Sequence, residues 1–135
     1  MATLYLSIGT NLGNRQSNLE TALTLIGREV GTVKAVSGVM ETEPWGFESE
    51  NTFVNGVILC ETSLAPRQVL GATQKIEREM GRHKKSTDGG YADRCIDIDI
   101  LLYDDLRVDE PDLQIPHPLM LKRDFVMIPL REIRD

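Results

Sequence analysis

The stretch Ile96-Asp97-Ile98-Asp99-Ile100 alternates strictly between apolar and acidic residues and runs on into Leu101-Leu102-Tyr103. A period of two is the period of a β-strand, and β-branched isoleucines favour that conformation. One side of such a strand carries an isoleucine row, which needs a core to cover it. The other side carries two carboxylates at positions i and i+2, about 6.6 Å apart along the backbone. A fold for this chain must bury the first row and still present the second.

The remaining elements follow from periodicity. Leu4, Leu6 and Ile8 alternate with polar neighbours and predict a strand that Gly9–Asn14 breaks as a loop. Leu19, Ala22, Leu23, Ile26 and Val30 recur at helical spacing, and Gly31 is expected to stop that helix. Val33–Met40 is β-rich, Thr52–Glu61 reads as a strand, and Thr42–Asn51 reads as a loop from its Pro, Gly and polar content. A second helix starts near Ala65, tolerates Pro66 in its first turn, turns Val69, Thr73, Ile76 and Met80 to the core, and ends at Gly81. Residues 82–93 lack periodicity, contain a Gly pair and predict a mobile loop.

The resulting order, βαββαβ, is the ferredoxin-like α+β arrangement: an antiparallel sheet with helices packed on one face. A short strand around Leu106 and a helical tail over Leu119–Leu130 extend it. With 135 residues and no linker, a single domain over 1–135 is expected. Cys60 and Cys95 lie in apolar runs without CxxC spacing and read as reduced core residues. The N-terminus has no basic, apolar leader, and nothing approaches the roughly 20 apolar residues of a membrane span, so a cytoplasmic protein is expected.

Charge is unevenly placed. The chain has 15 Lys and Arg against 21 Asp and Glu, a net charge of −6, which argues against binding nucleic acid by bulk positive charge. Asp97 to Leu113 holds seven acids and one base, Arg107, whereas Lys75 to Lys85 holds five bases and two acids. A basic segment therefore runs into an acidic one.

Two carboxylates side by side repel unless a cation or proton lies between them, and hard oxygen ligands suit Mg²⁺. A solvent-facing strand edge is the bland alternative; a glycosidic acid/base pair is another, but its carboxyls must flank a sugar. Arg82, Lys84 and Lys85 precede the strand in the loop, and Arg94 stands three residues before Asp97. Arginine forks match phosphate oxygens, so the combination points to phosphoryl chemistry, which is mostly positioning and charge neutralisation. No GxxxxGK[ST] occurs, which excludes a P-loop enzyme. His117, between Pro116 and Pro118, fits either a phosphate donor or a structural histidine. Trp45, Phe53, Tyr91 and Phe125 fall in loops or at element ends, where they suit either stacking on a flat heterocycle or core filling.

These residues resemble the 6-hydroxymethyl-7,8-dihydropterin pyrophosphokinase family. The likeness rests on RCIDIDILL (94–102) with IPH (115–117), and on SIGTNLG (7–13), ETEP (41–44), FVN (53–55), ETS (61–63), Ile76-Glu77 and Gly81-Arg82. It implies transfer of pyrophosphate from ATP to the pterin hydroxymethyl group, with release of AMP. It implies that Asp97 and Asp99 hold two Mg²⁺ ions and that Arg82 and Arg94 bind phosphate. It places Gln74, Ile100, His117 and Arg123 with the nucleotide. Phe53 and Phe125 would sandwich the pterin, Asn55 would read its polar edge, and Thr42 and Trp45 would complete that pocket. Closure of the 82–93 and 43–51 loops would exclude water. The partners implied are these two small molecules, for a chain expected to be a monomer. The competing readings are a non-catalytic ferredoxin-like module that binds a small ligand, and a kinase that moves one phosphate. Of the seven acids, the five beyond Asp99 read as solvated turn residues.

Overall fold

The computed structural model describes residues 1–10, 14–42, 53–82 and 96–134, with Thr42, Phe53 and Arg82 described by backbone alone. The strands are β1 (Ala2–Thr10), β2 (Thr32–Val36), β3 (Met40–Thr42), β4 (Phe53–Thr62), β5 (Asp97–Tyr103), β6 (Val108–Glu110) and β7 (Leu113–Ile115). The helices are α1 (Arg15–Glu29), α2 (Pro66–Glu77) and α3 (Asp124–Ile133). The main sheet runs β2-β4-β1-β5 with antiparallel neighbours, and β3 also pairs with β4. This is the ferredoxin-like order: β4 inserts between β1 and β2, which α1 connects.

The alternation in β5 is used as its chemistry requires. Ile96, Ile98 and Ile100 are buried with Leu4, Leu6 and Ile8 of β1, Ile58 and Cys60 of β4, Ala22 and Ile26 of α1, and Val69 and Ile76 of α2. Each such aliphatic side chain contributes roughly 1.5–3 kcal/mol by leaving water. A bulge between Tyr5 and Leu6 leaves Leu101 as an extra residue on β5, since Tyr5 pairs with Leu102 and Leu6 with Ile100. The extra residue lets Leu101 and Leu102 both face a second cluster, built with Val57, Met120, Val126 and Leu130.

The two core helices share one face as expected, and the second cluster shows where the helical tail packs. α1 and α2 cover the isoleucine side, but α3 packs on the opposite side, so the sheet lies between two helical layers. Glu132 of α3 accepts from the Gly38 N–H at 2.8 Å, tying the helix to the segment between β2 and β3.

Boundaries differ in instructive ways. β1 does not break at Gly9 but continues to Thr10, because both residues pair with β4. Asn14 caps α1, accepting from Ser17 N–H at 3.0 Å. α2 ends at Glu77, and a π-helical turn over Arg78–Arg82 carries the chain past Gly81. Leu106 is in no strand; β6 and β7 instead form a separate hairpin. The five distal acids are all exposed, as expected, but three of them have partners. Asp104 Oδ1 accepts from Thr3 N–H at 2.7 Å. Glu110 and Asp112 both pair with Arg67, the latter at 2.8 Å, which ties the hairpin to α2. Hydrogen bonding from Arg67 holds the Asp112 carboxyl below its usual range.

Cys60 is a buried free thiol whose burial raises its pKa to about 11. Cys95 and residues 83–93 of the expected loop lie outside the described residues. Among the described residues no helix is long and apolar enough to cross a membrane.

Gly31 ends α1 by close approach rather than by a left-handed turn. A Cβ there would lie 2.2 Å from the Glu61 carbonyl oxygen, whereas one on exposed Gly27 would meet nothing within 4 Å. Gly31→Ala is therefore expected to destabilise the fold by about 1–3 kcal/mol. Gly27→Ala, in the last turn of α1, is expected to stabilise it by roughly 0.5 kcal/mol. Urea unfolding of both variants checks the pair; equal effects would contradict this packing.

Candidate active site

The sheet register sets the floor of the site. Asp97 lies opposite Gly9, which in turn lies opposite Asn55; Asp99 lies opposite Ser7, which faces Val57. Directly opposed residues share a face, so Asp97, Asp99, Ser7 and Asn55 all point to the side that α3 covers elsewhere. Gly9 puts no side chain between Asn55 and Asp97. Met40 pairs with Asn55 and Thr42 with Phe53, which extends the same floor through β3.

Beside this floor, a cleft of about 440 Å³ follows β5. β5 is the outer strand of the path, so its edge is open to other partners. Leu70, Thr73, Gln74 and Glu77 of α2 form one wall, and His117, Pro118, Leu119 and Arg123 form the other. Asp97, Ile98 and Asp99 lie between them. The Arg67 ion pairs join α2 to the hairpin that leads into the second wall, and so brace the two walls against each other.

His117 is held by two backbone contacts. Its N–H donates to Leu101 O at 3.0 Å, and its Nδ1 accepts from Leu119 N–H at 3.2 Å. An accepting Nδ1 is unprotonated, so a neutral ring carries its proton on Nε2. Burial depresses the His117 pKa, helped by Arg123 and opposed by Asp97. Arg123 stands at the N-terminal boundary of α3, its guanidinium carbon 5.6 Å from the centroid of the Phe125 ring. This cation–π contact places a charge suited to phosphate next to an aromatic face.

The structure thus brings together Gln74, Asp97, Asp99, His117 and Arg123 in one cleft, with Phe125 against Arg123 and Asn55 on the adjoining floor. Ile100 is different: its side chain is core, so only its backbone remains for a ligand. Trp45 and Arg94 lie outside the described residues, as do the side chains of Thr42, Phe53 and Arg82. Glu77 lies in the Ile76-Glu77 motif, which gives it no role. It is 5% exposed, and its Oε2 accepts from Ile98 N–H at 2.9 Å. The available signal was its place on the apolar stripe of α2, one residue after buried Ile76, where a solvated acid does not belong.

Comparison with known proteins gives a consistent answer. The family model for 7,8-dihydro-6-hydroxymethylpterin-pyrophosphokinase (HPPK) matches residues 5–135. The chain is 49% identical over 134 residues to the 2-amino-4-hydroxy-6-hydroxymethyldihydropteridine pyrophosphokinase of Porphyromonas gingivalis W83, covering 98% of this chain and 91% of that protein. The Aquifex aeolicus protein of the same name is 41% identical over 133 residues, covering 98% and 81%. The fold is similar to the crystal structure of wild-type Plasmodium falciparum HPPK-DHPS with SDX-DHP, at a TM-score of 0.76 and 18% identity. That match covers 98% of this chain but spans 40% of the Plasmodium chain, and it speaks for the fold alone. With the fold, the cleft and these relatives in agreement, the chain belongs to the 7,8-dihydro-6-hydroxymethylpterin-pyrophosphokinase family.

Proposed function

We propose that this chain transfers the β,γ-pyrophosphoryl group of ATP to the hydroxymethyl oxygen of 6-hydroxymethyl-7,8-dihydropterin. The hydroxyl oxygen attacks the β-phosphorus and loses its proton. The bond from that phosphorus to the oxygen bridging the α-phosphate breaks, and AMP leaves. The observation that carries this reading is the Asp97–Asp99 pair, which lines the same cleft as Arg123 and His117.

The donor set fits magnesium. Among the described residues no cluster of three or more His, Cys, Asp or Glu could hold a metal by itself. Two carboxylates on one strand face leave further coordination positions to phosphate and water, which is how Mg²⁺ commonly binds. Asp97 and Asp99 would hold two such ions. When bound, these neutralise phosphate charge and align the attacking and leaving oxygens.

The chain's own groups do the positioning. His117 donates Nε2–H and Arg123 its guanidinium to phosphate oxygens, while Gln74 lies on the α2 wall within reach of the nucleoside. Arg82 and Arg94 complete the phosphate contacts, and the backbone of Ile100 meets the base. Phe125 and Phe53 stack on the pterin, with Asn55 bonding its polar edge and Thr42 and Trp45 closing the pocket. A primary hydroxyl is a weak nucleophile, so orientation against phosphorus outweighs any strong base. The 82–93 and 43–51 segments, whose closure the family resemblance would use to exclude water, lie outside the described residues apart from the backbone of Arg82. We read the chain as one catalytic domain, monomeric and cytoplasmic, with these two small molecules as its partners and not nucleic acid.

Product analysis tests the reaction. ATP, Mg²⁺ and the reduced hydroxymethylpterin are expected to give AMP; ADP would instead mark transfer of one phosphate, and no nucleotide product would mark a binding module. Asp97→Ala and Asp99→Ala are each expected to lower AMP release by roughly 10³-fold with circular dichroism unchanged. Near-normal turnover in either variant would overturn the metal assignment.

The His117 role gives a pH prediction. Its folded pKa is depressed below 6.5, so the stability it contributes is present above 6.5 and is lost as pH falls through the folded value. At pH 7 the ring is neutral and donates from Nε2. In ¹⁵N-detected NMR of the free protein, His117 should titrate below 6.5 and show the Nε2–H tautomer at pH 7. An Nδ1–H tautomer at pH 7, which leaves Nε2 bare, would contradict the donor role.

A further inference from the structure

We propose that Glu77 is a positioning residue that aims the Asp97–Asp99 pair by holding the amide between them. This inference rests on the metal reading above. Strand β5 ends the sheet path, and its outward N–H groups need acceptors from outside the sheet. The Ile98 N–H finds one in Glu77 Oε2, at 2.9 Å and buried.

The geometry explains why one amide matters. The Ile98 N–H belongs to the peptide that joins Asp97 to Ile98, and that peptide is planar. Fixing its direction restrains ψ of Asp97 and φ of Ile98, two of the four torsions that relate the Asp97 side chain to that of Asp99; ψ of Ile98 and φ of Asp99 flank the next peptide. The Ile98 side chain is locked in the core on one face, and the paired strand β1 holds one edge. Glu77 supplies the remaining restraint, from the opposite edge. A register that places two carboxylates on one face does not by itself set their relative aim; a third point of attachment does.

Glu77 also occupies an unusual place. It is 5% exposed on the last turn of α2, where burying a carboxylate is unfavourable unless its oxygens are hydrogen-bonded. Directly after it the chain widens into the π-helical turn over Arg78–Arg82. Glu77 thus couples the metal strand to the root of the segment that carries Arg82. It is not proposed as a ligand itself, since the described residues form no three-member metal cluster. A hydrogen-bond acceptor of the same shape and no charge should serve equally well.

Two variants separate positioning from charge. Glu77→Gln keeps an acceptor oxygen, and Glu77→Met fills the space without one. The readouts are hydrogen exchange of the Ile98 amide in the free protein and the Mg²⁺ concentration that half-saturates binding of a non-hydrolysable ATP analogue, measured by calorimetry. In Glu77→Met, both Ile98 exchange and the Mg²⁺ requirement are expected to rise about 10-fold or more, whereas Glu77→Gln stays within about threefold of the parent on both. Faster exchange with an unchanged Mg²⁺ requirement would show a merely structural bond and overturn the proposal. So would a Gln variant as impaired as Met, because charge would then be the operative property. Should Glu77→Met not fold, the Mg²⁺ requirement of the Gln variant decides in the same way. If the parent protein itself binds no nucleotide in a Mg²⁺-dependent manner, the underlying metal reading fails instead.

Discussion

Everything at the site depends on the register between β1 and β5. Ile8 opposite Ile98 and Leu6 opposite Ile100 put the isoleucine row into the core. The same register puts Asp97 beside Gly9 and Asp99 beside Ser7 on the far face. A slip of one residue would send both carboxylates into the apolar layer and all three isoleucines out of it. The burial of charge this would require makes the alternative register inaccessible. The placement of the carboxylate pair is therefore inherited from the packing of the core on the opposite face.

The covering of both sheet faces has a functional consequence. α1 and α2 cover the isoleucine side, and α3 covers Tyr5, Val57, Leu101 and Leu102 on the other. The remainder of that face, from Ser7 and Gly9 across to Asn55, stays as floor. α3 enters that face at Arg123 and Phe125, so its first turn forms the border between buried cluster and open site. One element thus both seals half the sheet and supplies a cation and an aromatic ring to the other half.

Most of this frame could be read from residue order. β1, β4, β5, α1 and α2 each span enough residues for a period of two or of 3.6 to declare itself. The short strand expected around Leu106 lies two residues later, at Val108–Glu110, and its partner β7 went unseen, because strands of three residues establish no period. The face taken by α3 was hidden for a different reason: an amphipathic stripe states that a helix packs, but not on which layer. At the site, Asp97 and Asp99 were legible because β-propensity disfavours Asp and their spacing shares a face. Glu77 was not, since an acid among Lys75, Arg78 and Glu79 looks solvated until its partner on β5 is known. The same holds for Arg67, whose partners lie 43 and 45 residues away.

Local pairing also explains how a chain of net charge −6 can be suited to a polyanion. Glu110 and Asp112 face Arg67, and Asp104 is spent on the Thr3 amide. None of these projects into the cleft, where Arg123 and a neutral His117 oppose Asp97 and Asp99. On the proposed reading, two carboxylates facing a bare triphosphate would repel it at close range, where the screening length of about 8–10 Å gives little relief. The same two carboxylates attract a triphosphate that arrives with its cations. On that reading such a site would discriminate between free and metal-bound nucleotide by charge, so that the acidic pair would filter the form of the substrate before acting in the chemistry.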